Sequence, residues 1–312
     1  MIQRGLSLRN KMAKVCKKWF PKGTFPYQKD DGFYMDSTLK LQLDALIMNV
    51  VNDWDFTIII SGRGEVRVGK STLAAQIATY WAYEMLRVHG KKVKLDLKTN
   101  FVFDGTKLIE QGNYLGQNFP YSPLIYDEAG ADLMGRKIMK AATQQVLDYF
   151  RECGQYNMLN ILVIPEYFDL PKAIAVNRSK CLIDVSYNAD DDGIFQRGIF
   201  RFYSQPNKIS LYIKGKRDLN YNAYRYDFHG EFPSFFPLDE KEYKQIKKDI
   251  LKGRGGLNQD KIMIQRNALF YLLNRTVGWT QQEISDKLLG VSGYEVTQNT
   301  ISDSISIFPL RK

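Results

Sequence analysis

Gly64, Gly69, Lys70 and Ser71 stand in the order G-x-x-x-x-G-K-S within GEVRVGKS, and this spacing is suited to gripping a chain of phosphates. Glycines let backbone N–H groups turn inward around an oxyanion, and a helix starting here adds the positive potential of its N-terminus. Lys70 can reach the outer phosphate oxygens. The Ser71 hydroxyl can ligate a hard divalent cation such as Mg2+. Val68 and Thr72 complete the expected nucleotide-binding stretch, with Thr72 near the α-phosphate.

Hydrolysis of a triphosphate also needs a carboxylate beside the metal and a group that orients water. SPLIYDEAG supplies both, 57 residues after Lys70. Asp127, at the end of a short apolar run, is the expected magnesium partner, and Glu128 beside it is the expected base. An adjacent acidic pair is ordinarily a solvated surface feature. Its place at the end of an apolar strand, downstream of a phosphate loop, favours the functional reading.

Both elements must be held by a framework, and the sequence implies one. LKLQLDALIMNVV has helical spacing, FTIIIS reads as a buried strand, and Lys70 to His89 is a long helical stretch. Further short apolar strands are expected at Lys92–Leu97, Leu124–Tyr126, Asn160–Ile164 and Cys181–Val185, with a helix over about Ile138–Cys153. The alternation predicts an α/β fold with a mainly parallel sheet flanked by helices. Adjacent strands are expected to carry the phosphate loop and the acidic pair to one sheet edge, where open α/β sheets bind ligands. From Gly198 to Phe228, alternating aromatic and polar residues predict antiparallel strands joined by turns.

The 312 residues carry 44 Lys and Arg against 34 Asp and Glu, a net charge of +10 that favours polyanionic partners such as nucleic acid or anionic lipid. Residues 1–22 hold seven basic and no acidic residues with apolar residues interleaved, so this segment binds DNA or lipid, or docks on the domain. Cys16, Cys153 and Cys181 are too far apart to suggest zinc or a disulfide framework. No apolar run reaches the roughly 20 residues of a membrane span and no secretory signal is visible. A cytoplasmic setting is expected.

The stretch from GEVRVGKST through LIYDEAG to YFRECGQYNMLNILVIPEYFDLPKAIAVNRSKCLIDV resembles the FtsK/HerA group of DNA-pumping ATPases, nearest its Zot-like and packaging-type members in viruses and mobile elements. The likeness spans about residues 37–230. It implies an Mg2+-dependent ATPase working as a ring of subunits on double-stranded DNA. It also implies an arginine that acts on a neighbouring subunit's nucleotide, and Arg151 matches that position, with Arg178 as second candidate. The family's polar sensor after the strand NILVI is replaced by Pro165 and Glu166. Glu166 or Asn160 would have to serve instead.

The remaining chain reads as accessory. Residues 237–256 form a basic helical connector closed by glycines, and 257–312 a helical domain in which TQQEISDKLL and TQNTISDSISIF resemble a helix-turn-helix. Gln298, Asn299, Thr300 and Ser302 suit base edges or phosphates. Six basic against five acidic residues in 256–312 give no strong electrostatic footprint, so DNA reading and assembly both stay open. The expected organisation is a basic arm (1–36), an ATPase core (37–236), the connector and the helical domain. The expected function is an ATP-driven nucleic-acid motor, the alternative an AAA+-like DNA-binding regulator or initiator that uses ATP as an assembly switch.

Overall fold

The computed structural model describes residues 17–129, 141–189, 192–292 and 296–306. Residues 1–16 of the expected arm, and the segment directly after the acidic pair, lie outside that description. Phe20, Phe25 and Phe33 are buried together, which draws β1 (Lys17–Trp19) and β2 (Tyr34–Asp36) into an antiparallel pair. Their rings meet Tyr80 and Tyr83 edge-on. Residues 17–36, read as arm from composition, are therefore packed through their aromatic groups.

Asp36 caps α1 (Ser37–Val51), accepting from the Thr38 and Leu39 N–H groups at 2.9 and 3.0 Å. Leu39, Leu43, Ile47 and Val50 form its buried stripe. β3 (Phe56–Ser61) coincides with FTIIIS and is buried at all six positions, as a run of mostly β-branched residues covered on both faces should be. α2 (Lys70–His89) follows, ended by Gly90 at φ 62° with N–H bonds closing back on the last turn.

The strand expected at 92–97 does not form. Asp96 instead caps the single turn α3 (Leu97–Asn100), and the buried Asn100 donates to the carbonyls of Lys94 and Pro123. The place at the sheet edge goes to β4 (Phe101–Val102). Local side-chain bonds have won over strand propensity. α4 (Gly105–Asn118), β5 (Pro123–Asp127), α5 (Ala141–Glu152) and β6 (Leu159–Val163) continue the alternation. A π-helical turn at Ala173–Arg178 leads into β7 (Ser179–Ala189), which pairs antiparallel with β8 (Phe195–Tyr203).

The centre of the segment expected as strands is helix α6 (Gln205–Gly215), and only its flanks, β8 and β9 (Phe228–Glu231), are extended. Lys208, Leu211, Tyr212 and Gly215 are its buried residues, a spacing of three and four that the alternating aromatics disguised. Lys208 is fully buried and donates to the Ala175 and Val176 carbonyls of the π-helical turn. Burial lowers its pKa to about 8.

The seven-stranded sheet has the order β4-β5-β6-β3-β7-β8-β9, parallel from β4 to β7 and antiparallel beyond. Ile59, Tyr126, Leu162 and Leu182 face one core with α4, α5 and α6. Alternate strand residues point the other way, where α2 lies against β3, β5 and β6. The strands carrying the phosphate loop and the acidic pair are not adjacent, contrary to the expectation. β6 lies between them.

Residues 1–243 and 244–312 form two separate contact units. The connector and the helix expected after it are one continuous helix, α7 (Glu240–Arg275), which passes through GRGG without a break. Within the second unit, α8 (Gln281–Ser292) and α9 (Gln298–Ser306) enclose Phe270, Ile284, Ile301 and Ile305. Thr280 and Glu283 cap α8 reciprocally.

Gly112 of α4 sits so close to Tyr149 of α5 that an added Cβ would lie 2.1 Å from the phenol oxygen. Tyr149 is buried and must shift to admit the methyl group. Gly112→Ala should therefore cost about 1–3 kcal/mol of stability by overpacking, read as a lowered urea midpoint at unchanged m-value.

Candidate nucleotide site

The phosphate loop is residues 62–69, between the end of β3 and the start of α2. Its winding needs four left-handed residues, Arg63, Gly64, Arg67 and Gly69, at φ 55°, 76°, 61° and 102°. Two of them are not glycine. Backbone strain at non-glycine positions is tolerated where surrounding structure enforces it, and here the Pro165 carbonyl does so. It accepts from the N–H groups of Gly64 at 2.8 Å and Gly62 at 3.3 Å. Glu65 N–H closes back on the Gly62 carbonyl at 2.8 Å.

Gly69 opens α2, and a Cβ there would lie 3.1 Å from the Phe232 ring. Phe232 backs the loop and is itself held, because Gln76 of α2 donates to the carbonyls of Pro233 and Phe235, each at 2.7 Å. Val68 is buried beneath the loop, while Lys70, Ser71 and Thr72 are half-buried at the helix start. The Lys70 ammonium folds over the loop and donates to the Glu65 carbonyl.

Asp127 ends β5 and is 1% exposed. It is level with Val163 of β6, which is level with Ile60 of β3, so two strand spacings, roughly 10 Å, separate it from the phosphate-loop strand. α2 crosses that gap. The Ser71 hydroxyl donates to Asp127 Oδ1 at 3.2 Å. The other carboxylate oxygen accepts from the Tyr243 hydroxyl. Burial first, and the adjacent Asp127 charge second, raise the Tyr243 pKa and keep it a phenol. Glu128 follows in the left-handed region at φ 62°, which turns the chain at the strand end and leaves its carboxylate half-buried.

A hydroxyl and a carboxylate converging at the mouth of a phosphate loop are the oxygen donors a hard cation takes. Among the described residues no three His, Cys, Asp or Glu gather into a metal cluster. Ser71 and Asp127 therefore fit a Mg2+ whose remaining ligands come from phosphate oxygens and water, the usual way this ion binds beside a nucleotide.

Two further polar links brace the site, and neither belongs to the motif. Arg63 donates twice to Asp184 Oδ2, at 2.7 and 2.9 Å, and lies over the Tyr221 ring. Burial raises the Asp184 pKa, with Arg63 opposing it. Glu166 accepts from the Tyr221 hydroxyl at 2.6 Å, and that hydroxyl also meets Ser61 Oγ at 3.1 Å. Burial likewise raises the Glu166 pKa. Glu166 is thus tied to the loop entrance through Tyr221. Asn160, the other residue considered for sensing, sits near the opposite end of β6, accepting from the Tyr149 hydroxyl at 3.5 Å and within 3.8 Å of Cys153 Sγ.

Arg151 and Arg178 are not brought to the phosphate loop. Arg151 lies in the last turn of α5, is 61% exposed in its side chain and, among the described residues, pairs with Asp148, three residues back on the same helix. Arg178 precedes β7 at the amino edge of the sheet, where it clamps Asp55, the Phe150 carbonyl and Cys153 Sγ. A cavity of 620 Å³ lined by Glu110, Asp148, Tyr149 and Tyr156 shares no residue with the loop either.

Sequence reasoning missed Arg63, Asp184, Tyr221 and Tyr243. One signal was available for Asp184, a lone acid inside the apolar run CLIDV. Tyr243 sits in the charge-rich DEKEYKQ and carries no local mark of its partner.

No protein-family model and no curated protein matches the chain. Among solved structures it is similar to the genome-packaging NTPase B204 of Sulfolobus turreted icosahedral virus 2 in complex with AMPPCP, at 14% identity and a TM-score of 0.33 over 49% of this chain and 94% of that one. It is similar to the N-terminal domain of zonular occludens toxin from Neisseria meningitidis at 12% identity and a TM-score of 0.34, over 61% and 98%. A DNA polymerase III gamma subunit-related protein from Thermotoga maritima aligns at 13% identity and a TM-score of 0.30, over 48% and 47%. Such scores carry no argument about activity.

The clamp made by Arg178 gives a separable expectation. Its side chain and that of Asp55 are only 20% and 13% exposed, so Arg178→Ala leaves a carboxylate largely buried and unpaired, at about 2–4 kcal/mol. The measured outcome should be a lower melting temperature with nucleotide affinity unchanged.

Proposed function

We propose that the chain is an ATP-hydrolysing nucleic-acid motor, a DNA translocase or packaging ATPase of a virus or mobile element. The observation that carries the hydrolytic part is the convergence of Ser71 and Asp127 at 3.2 Å, at the mouth of a phosphate loop and beside Glu128. Mg2+ bound there would polarise the terminal phosphate and neutralise charge as it transfers. Lys70 and the N–H groups at the start of α2 hold the phosphate oxygens. Glu128 takes the proton of a water attacking the γ-phosphorus in line with the departing ADP oxygen.

Work in a ring is supported by the position of Arg151. It lies toward the amino edge, whereas the phosphate loop lies at the carboxyl edge, and the five-residue strand β6 between those edges spans roughly 17 Å. An arginine so placed is out of reach of this chain's own nucleotide, which is consistent with service to another subunit's. The net charge of +10 favours a polyanion such as double-stranded DNA as the moving partner. No helix among the described residues is long and apolar enough to cross a membrane.

The alternative, an AAA+-like regulator or initiator that uses ATP as an assembly switch, draws on two observations. Helix α6, between β8 and β9, stands where the sequence suggested only strands, so a helical element interrupts the antiparallel part of the chain. In the 244–312 unit, α8 and α9 share a core while Gln298, Asn299 and Ser302 are exposed, available for reading a DNA site or for assembly. Protection of one defined sequence in footprinting would favour the regulator.

Steady-state ATP hydrolysis with and without DNA decides the main reading. Wild type should be stimulated by DNA of any sequence. Lys70→Ala and Glu128→Gln should lower turnover on the order of 10²-fold or more, and Arg151→Ala on the order of 10³-fold. Mixing Arg151→Ala with Lys70→Ala subunits should restore part of the rate. Hydrolysis indifferent to DNA would overturn the motor reading, and failure to bind ATP would overturn both readings.

A further inference from the structure

Asp127 accepts two hydrogen bonds from side chains of different origin. The Ser71 bond comes from within the phosphate loop and helix α2, as the motif requires. The Tyr243 bond comes from the first turn of α7, 116 residues away in sequence. Tyr243 is 8% exposed, and its ring is walled by Phe101 at 5.8 Å, Phe103 at 6.3 Å and Phe236 at 4.9 Å between centroids. That wall fixes the ring, and with it the direction in which the hydroxyl points.

The two bonds engage different oxygens of the carboxylate. Ser71 can turn a lone pair to the metal while its O–H still donates to Asp127 Oδ1, because a hydroxyl has two lone pairs and one proton, and Oδ1 keeps a lone pair for the metal or its water. The Tyr243 bond engages Oδ2 and leaves Oδ1 to these partners. A carboxylate rotates broadly about its last torsion unless something pins it, and outer partners that pin metal ligands commonly contribute 10–100-fold to metal affinity. We propose that Tyr243 is a positioning residue for the magnesium site: its phenol pins the Asp127 carboxylate in the rotation that presents Oδ1 to the cation. This rests on the reading of Asp127 as the metal's carboxylate.

A purely structural Tyr243 would fill the aromatic wall and leave metal affinity untouched. The opposite effect is also conceivable in chemistry, since removing a donor makes a carboxylate more basic and a stronger ligand. The proposal therefore carries a sign. Loss of the hydroxyl should weaken metal binding, because orientation outweighs basicity for a small cation that demands near-ideal octahedral geometry.

The test uses the full-length chain and a non-hydrolysable ATP analogue, titrated with Mg2+ while binding is followed by fluorescence, without turnover. Tyr243→Phe keeps the ring and removes the hydroxyl. The Mg2+ concentration for half-saturation should rise about 10-fold, with analogue affinity in excess EDTA unchanged. Phe103→Leu, which loosens one side of the wall and keeps the hydroxyl, should raise that concentration by much less than Tyr243→Phe. An unchanged or lowered half-saturation in Tyr243→Phe, or an equal rise in Phe103→Leu, overturns the assignment while the Asp127 reading stands. Absence of any Mg2+ dependence in wild type overturns both. Should Tyr243→Phe fail to fold, the 13Cζ resonance of Tyr243 in wild type reads the same contact. It should move when Mg2+ is added to the analogue complex, and a resonance that stays in place refutes the proposal.

Discussion

The approach of Ser71 to Asp127 is the contact around which the first unit is arranged. Their strands are separated by β6, so no backbone ladder can bring the two side chains together. Helix α2 does it, leaving the end of β3 and crossing the face of β6 to lie against β5. That path requires the tight left-handed winding of residues 63–69, because an ordinary loop would start the helix farther from the sheet. It also makes Asp127 a fully buried carboxylate, which is stable only with donors on both oxygens.

The donors and braces of the site come from parts of the chain with no phosphate-binding signature. Pro165 anchors the loop through one carbonyl, Phe232 presses on Gly69, and Arg63 is fastened to Asp184 in the next strand. Each contact limits one degree of freedom of the loop. The site is aromatic on the Tyr243 side and polar on the Tyr221 side. In such surroundings hydrogen bonds to carboxylates are stronger than in water, and leaving one unmade costs correspondingly more.

The two sheet edges divide the labour. The carboxyl edge gathers the phosphate loop, Asp127, Glu128 and Glu166. The amino edge gathers Asp55, Arg178 and Cys153 into a clamp joining β3, α5 and β7, where Arg178 has a structural explanation complete in itself. Arg151 has none, since an exposed pair with Asp148 contributes little. The two arginines offered from sequence, Arg151 first and Arg178 second, are thus distinguished by what they touch.

The sequence by itself determined the loop, the acidic pair, the limits of β3 and α2, and an α/β fold, because each of these is encoded locally. Glycine spacing sets the loop, β-branched runs set strands, and helical periodicity sets α1 and α2. It misjudged 92–97, where Asp96 and Asn100 recruit the backbone, and 205–215, where aromatic alternation masked a helical stripe. The strand order, with β6 between the two functional strands, was decided only by tertiary structure, as were the partners Tyr243, Asp184 and Tyr221. The physical reason is common to all of them: a contact between residues tens to more than a hundred positions apart leaves no periodicity, cap or turn in the local sequence, and exists only once the sheet has set the distance.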